Sequence, residues 1–333
     1  MKPQAPPVPR TTEGHLRRVG VEIEFAALAP AAAAALVQNR FGGDIHQLSP
    51  HRFKVEGTRW GDFTVELDSK YAHPDDKVLE KTQASSSDAE WHRLRAELHN
   101  RTRALIGDAV SGVVPTEIVC PPIPWLSLGE LDSLFDALRL QGARDTRESL
   151  LYAFGLHLNP EVPGIDTASV LAHLRAYMIL AEWLREEIDI DITREVLPHA
   201  NPFPRDYALQ VLDPGYRPDL ATLIKDYAVA NPSRNRELDL FPLFAFLQPD
   251  ELPQLLGDER IKPRPTYHYR LPNAQFAQPD WSVVAEWNRW VEVERLAADE
   301  ALLAERGGAY LAHHHRLPMM RWLDRLRGWM KDA

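Results

Sequence analysis

The side chains able to do chemistry occur in pairs two residues apart. Glu22 and Glu24 alternate with Val21, Ile23 and Phe25, and Glu66 and Asp68 alternate with Val65 and Leu67. His157 and Asn159 alternate with Leu156 and Leu158, and His268 and Arg270 with Tyr267 and Tyr269. Side chains two apart on an extended strand point to the same face, so each polar pair backs an apolar stripe. Glu117 adds a single acid within Thr116-Glu117-Ile118-Val119. A sheet built from these segments would have one apolar face and one face of carboxylate, imidazole and guanidinium. An antiparallel sheet with one solvated face shows the same alternation, and for any single strand that is the simpler reading. The residue types argue for more, because acids are poor strand formers and neighbouring like charges repel. Five carboxylates converging on one surface would have raised pKa values unless a cation sat among them. Oxygen ligands with an imidazole suit Mg2+ or Mn2+ better than zinc. Arg270 would then face an anion held by those ions, most simply a phosphate.

The elements that must position these residues follow from periodicity. Residues 19–25 read as a half-buried strand, 51–55 and 63–68 as a strand pair whose turn is bracketed by Gly57 and Gly61, and 113–119, 152–159 and 266–271 as further strands. Helical spacing is expected from Pro30 to about Gln38, from Asp88 to about Asp108, over 126–140 and over 167–188. Shorter helices are expected at 204–212 and 218–229, a long one from about Asp280 to Ala304, and a last one over 319–331. The apolar stretch 236–247 fits either helix or buried extended chain. Strands interleaved with helices, followed by a mostly helical stretch and a late strand, make the expected class α+β. The expected organisation is a flexible tail over 1–15 and one domain over 16–333, with a mostly helical insertion at about 165–262.

The chain has 333 residues, a net charge of −10, 44% hydrophobic and 26% charged residues, and one cysteine. These values fit a folded globular protein and disfavour a nucleic-acid or anionic-membrane binder. One cysteine excludes an intramolecular disulfide and fits a reducing, cytoplasmic setting. Apolar runs fall short of the roughly 20 residues of a membrane-spanning helix. No Gly-x-x-x-x-Gly-Lys-Ser/Thr loop is present, so a bound triphosphate would be held by metals and side chains. Trp287 and Trp290 read as a core stripe, Cys120 as a buried small apolar group, and Phe203, Arg205 and Tyr207 as loop packing ahead of a pocket lining.

Four stretches carry a resemblance: Gly20-Val21-Glu22-Ile23-Glu24-Phe25, Thr116-Glu117-Ile118-Val119-Cys120-Pro121-Pro122, Gly155-Leu156-His157-Leu158-Asn159 and His268-Tyr269-Arg270-Leu271-Pro272-Asn273. In this order, from residue 19 to about 295, the chain resembles the amidoligase family of the glutamine synthetase and glutamate–cysteine ligase superfamily. The resemblance implies a glutamine synthetase-like antiparallel sheet with helices on one face. It also implies an ATP-dependent carboxylate–amine ligase acting through an acyl phosphate, with Mg2+ (or Mn2+) bridging ATP to the acidic strands. By similarity, Glu22, Glu24, Glu66, Glu117, His157 and His268 are the metal-ligand candidates. Arg270, His157 and Glu117 are the catalytic candidates, and Arg270, His157, Arg234 and Arg236 the nucleotide contacts. Arg234 and Arg236 read equally well as a basic helix entry. The substrates would be a small-molecule or peptide carboxylate and an amine. The family usually has Glu where this chain has His268. The alternative is therefore a catalytically degenerate protein on the same scaffold that still binds nucleotide and metal.

Overall fold

The computed structural model describes residues 1–67, 114–145, 155–188, 201–249, 261–275 and 280–314, together with 278, 326 and 328–330. The fold is α+β, organised on one antiparallel sheet. In chain order the strands are β1 (Arg18–Phe25), β2 (Asp44–Ser49), β3 (Arg52–Thr58), β4 (Gly61–Leu67), β5 (Thr116–Val119), β6 (Ile123–Pro124), β7 (Leu156–Pro160), β8 (Leu238–Asp239) and β9 (His268–Tyr269). They lie side by side as β2-β3-β4-β5-β1-β7-β9-β8, with the short β6 pairing the start of β1. The first strand is thus near the middle, and the late strand β9 returns to pair with β7.

Alternation decides which side of this sheet becomes core. Val19, Val21, Ile23 and Phe25 of β1, Val55, Phe63, Val65, Ile118, Leu156 and Leu158 are fully buried. Helices pack on that side and on one another. They are α1 (Pro30–Phe41), α2 (Gly129–Leu140), α3 (Thr167–Ile188), α4 (Arg205–Leu212), α5 (Leu220–Ala230), α6 (Phe241–Leu247), α7 (Val283–Ala298) and α8 (Glu300–His314). Pro30 starts α1, where a missing N–H costs nothing, and the chain leaves it through Gly42 at φ 77°, a backbone conformation that favours glycine. Phe41 at its end stacks on Phe63 of β4 with ring centroids 5.3 Å apart. Trp290 of α7 lies 5.3 Å from Tyr267 and 5.2 Å from Tyr269, so the apolar stripe of the late strand is sealed by the expected tryptophan stripe. Each fully buried aromatic of this kind contributes on the order of 1.5–3 kcal/mol relative to exposure.

Three expectations are revised, and one strand is added that no expectation covered. The helix expected from Asp280 to Ala304 is two helices. Asp299 is extended and its Oδ1 accepts from Leu302 N at 2.9 Å, so an acid in the middle of an apolar pattern caps a new helix. The stretch 236–247 is neither all helix nor all extended: Leu238–Asp239 pairs with β9, then Pro242 stands in the first turn of α6. Residues 44–49, which carry no apolar alternation, form strand β2 because β3 offers a free edge. Finally, the start of the chain, expected to fray, is tied down. Gln4 N donates to Asn288 Oδ1 at 2.8 Å, and the indoles of Trp287 and Trp125 donate to the carbonyls of Gln4 and Pro9. The helices expected over 88–108 and 319–331 lie largely or wholly outside the described residues. Among the described residues, no helix is long and apolar enough to cross a membrane.

Candidate active site

On the side of the sheet away from the helices, strand register places the acids opposite one another. Glu24 on β1 faces Glu117 on β5, and Glu117 in turn faces Glu66 on β4. One step along, Glu22 faces His157 on β7. Three acids in a row across three strands would be unfavourable without compensation. Glu66, at the outer end, meets Arg52 Nε at 2.8 Å and is partly exposed. Glu24 and Glu117 are buried, with 4% and 7% exposure. Gly155 N donates to Glu24 Oε2 at 2.9 Å, which fixes that carboxylate over the start of β7.

Two groups of potential metal donors result, each with its donor atoms within 4.8 Å of one another: Glu24, Glu117 and His157, and Glu22, His157 and His268. His157 is common to both. Its Nδ1 lies 3.2 Å from Glu22 Oε2, and its ring meets that of His268 edge-on at 5.3 Å. Asn159 Nδ2 donates to Glu22 Oε1 at 3.1 Å, and Arg264 Nη2 stands 3.7 Å from the same oxygen. Asn159 can lean over its cross-strand partner because that partner is Gly20. A Cβ there would approach Asn159 Cβ to 3.3 Å.

His268 is positioned from behind. Its Nδ1 is 3.2 Å from Oδ2 of Asp239, its partner across the β8–β9 pair. Asp239 is fully buried and also accepts from Arg234 Nε at 3.0 Å and from Phe241 N at 3.0 Å. Arg270 Nη1 donates to the Arg234 carbonyl at 2.7 Å, which ties the end of β9 to the same loop.

Charge states follow from these contacts. Burial alone would raise the Glu22 carboxyl, but the hydrogen bond from His157 and the nearby His268 and Arg264 hold it well below the usual carboxylate range. Burial likewise acts to raise Asp239, yet His268, Arg234 and Arg270 bring it down to about 2. Burial pushes His157 well below the ordinary imidazole value and His268 down to about 4. At neutral pH Glu22 and Asp239 are therefore ionised and His157 and His268 neutral, which is the state that binds metal.

Of the residues expected at the site, the fold gathers Glu22, Glu24, Glu117, His157, His268 and Arg270. Glu66 shares the row but is engaged with Arg52. Arg234 reaches the group through Asp239. Arg236 is held elsewhere, its Nε donating to Asn231 Oδ1 and its Nη1 to the Pro202 carbonyl. Asp68 lies outside the described residues. Phe203, ahead of α4, and Tyr207, on α4 itself, pack among Tyr177 and Tyr227, so the expected packing role holds while only Phe203 belongs to the loop. Cys120 is buried, and burial raises its thiol far above the ordinary value, so it is no nucleophile. Two residues escaped the sequence reading. Asp239 had a signal, since it alternates with Leu238 and Leu240; Arg264, between two prolines, had none.

A comparison with family models fits this geometry: residues 15–292 match the family described as "Putative amidoligase enzyme". The chain belongs to the amidoligase family. The match runs from just before β1 through most of α7, so every residue gathered at the site lies within it. No curated protein and no solved structure matches the chain significantly.

Proposed function

We propose that this amidoligase is a cytoplasmic, ATP-dependent carboxylate–amine ligase working as one catalytic domain. It would join a small-molecule or peptide carboxylate to an amine through an acyl phosphate. The observation that carries the reading is the direct facing of two buried carboxylates, Glu24 and Glu117, with His157 beside them. Such an arrangement repels itself and is matched to divalent cations, so Mg2+ or Mn2+ fits the donors present. When bound, such ions neutralise triphosphate charge and bridge it to an acidic surface that would otherwise repel it.

The chain's own residues supply the rest. Glu24, Glu117, Glu22 and His157 would hold the ions. Arg270, 5% exposed and fixed by the Arg234 carbonyl, offers a guanidinium with little freedom to reorient. A positioned cation of this kind acts on the charge that spreads over phosphoryl oxygens during transfer. Glu24 is anchored by Gly155 N, and Glu22 by Asn159 and His157, so the donors need little rearrangement. In the degenerate alternative, His268 in place of the family's Glu would mark lost catalysis. Against it, Asp239 lies directly behind His268 and keeps a carboxylate in that part of the site.

The test is release of ADP from ATP by the full chain, with panels of carboxylates and amines and with Mg2+, Mn2+ or EDTA. Amine-dependent ADP release that EDTA abolishes is expected. Metal-dependent ATP binding without ADP release on any panel would favour the degenerate reading.

A further inference from the structure

We propose that Glu22, His157 and His268 form an ion site selective for a first-row transition ion over Mg2+, separate in character from the Glu24–Glu117 site that it adjoins. This deepens the ligase reading and rests on it for a place in catalysis, but not for ion binding.

Three donors converge here. Glu22 Oε2 lies 3.2 Å from His157 Nδ1 and 3.8 Å from His268 Nε2. His268 is 4% exposed and its Nε2 is buried without a hydrogen-bond partner among the described residues, aimed at that carboxylate. An unsatisfied buried ring nitrogen is costly, and 3.8 Å is too long for a hydrogen bond to relieve it. Two ligand bonds of about 2.0–2.2 Å to one ion, however, place their donor atoms roughly 3–4 Å apart.

Asp239 fixes which nitrogen is offered. With its carboxylate 3.2 Å from Nδ1, that nitrogen carries the hydrogen and Nε2 presents its lone pair toward Glu22. A lone pair facing a carboxylate across this gap is repulsive unless a cation lies between them. This carboxylate–histidine relay is the arrangement that orients metal-binding imidazoles. Asp239 is itself fully buried and immobilised by Arg234 and Phe241 N. An ion at the site takes the Nδ1 lone pair of His157, whose proton then sits on Nε2.

The donor types set the selectivity. Mg2+ prefers oxygen ligands and near-octahedral geometry and gives up water reluctantly. Two imidazoles and one carboxylate favour later first-row ions instead. With His157 so engaged, the neighbouring group keeps its two facing carboxylates, Glu24 and Glu117, and stays suited to Mg2+ or Mn2+. A family position ordinarily filled by Glu thus becomes a determinant of ion choice.

The experiment uses the full-length chain stripped of metal with EDTA, without nucleotide. It is titrated with CoCl2 by visible absorption and calorimetry, then challenged with MgCl2. The expected result is a bound Co2+ whose ligand-field bands persist under excess Mg2+. His268→Glu should shift those bands and let Mg2+ compete. Asp239→Asn should weaken Co2+ binding by ~10–100-fold, the scale for loss of an outer carboxylate partner. Displacement of Co2+ from the wild type by equimolar Mg2+, or an unchanged spectrum in H268E, overturns the proposal. Circular dichroism monitors folding. If H268E fails to fold, His268→Gln, which removes the imidazole at similar volume, replaces it, and an unchanged spectrum in that variant overturns the proposal equally. Co2+ held selectively by a chain that releases no ADP with any metal leaves the site standing and removes the ligase reading. Mg2+-driven ADP release with Co2+ readily displaced does the reverse.

Discussion

The two halves of the sheet use one sequence pattern to opposite ends. On β2, β3 and β4 the side away from the helices is solvated. Lys54 there bridges Glu56 and Asp62, and Arg52 meets Glu66. Glu56, Asp62 and Glu66 each have a lysine or arginine on β3, and water screens the charges. On β1, β7, β9 and β8 the same side is buried. Its groups are Glu24, His157, His268, Arg270 and Asp239, held by cross-strand partners and by the loop around Arg234. Polar alternation therefore selects the face of a residue but not the medium around it. Charges that are inert in water become, when buried, the determinants of stability, protonation and ion binding.

The contrast between the halves is tested most severely at the buried end. Arg234→Met leaves Asp239 wholly buried, with His268, Arg270 and Phe241 N still near it. Removing one partner of a buried pair costs about 3–5 kcal/mol, and the low end, about 3, is expected here because those neighbours remain. Chemical denaturation gives the value, and a loss under about 1 kcal/mol would place Asp239 in the same class as the solvated acids.

Arg270→Ala should lower the rate of ADP formation by about 10²–10³-fold while ATP affinity changes little, the scale of one preorganised electrostatic stabiliser. Arg270→Lys should recover only part, since an ammonium lacks the planar fork. Parallel loss of melting temperature and ATP affinity, with turnover intact in the folded fraction, would make Arg270 a structural residue.

The buried half should also be acid-sensitive. The folded value for His268 is about 4, against 6.5 for the free side chain. Between these limits the unfolded chain binds the extra proton, so stability rises with pH and is lost as pH falls from about 6.5 toward 4. His157 acts in the same direction. Asp132, on α2 beneath α7, opposes them: burial raises it to about 6, so its contribution falls as pH climbs toward that value. Melting curves of the metal-free chain at stepped pH should show the net acid loss, and His268→Gln should flatten it.

The smallest effect belongs to the solvated half. Arg52→Ala removes the ion pair to Glu66 and should cost no more than about 1 kcal/mol, as for other exposed pairs. Turnover should not move. A large loss of activity in this variant would bring Glu66 back into the ion cluster and dissolve the distinction between the halves.

Local physics made much of this legible in the sequence. Period-2 alternation gave the facing of Glu22, Glu24, His157, His268 and Arg270, because a strand has only two sides. Helical periodicity gave α3 over its whole observed span, Thr167–Ile188. Where local pattern and local chemistry competed, the reading failed: Asp299 looked like one polar residue on a helix, yet its carboxylate caps a second one. Strand β2 had no pattern to read, since its order comes from the partner it pairs with. Register, burial and the identity of the neighbour across the strand were decided only by the tertiary structure. Nothing in the spacing of residues 22, 157, 239 and 268 says that they meet, because strand pairing brings together positions separated by up to 246 residues. The sequence determined which side chains could hold charge and on which face. Only folding removed water from one half of that face, and in low dielectric the same carboxylates and imidazoles acquire fixed protonation states, fixed directions and the need for a cation.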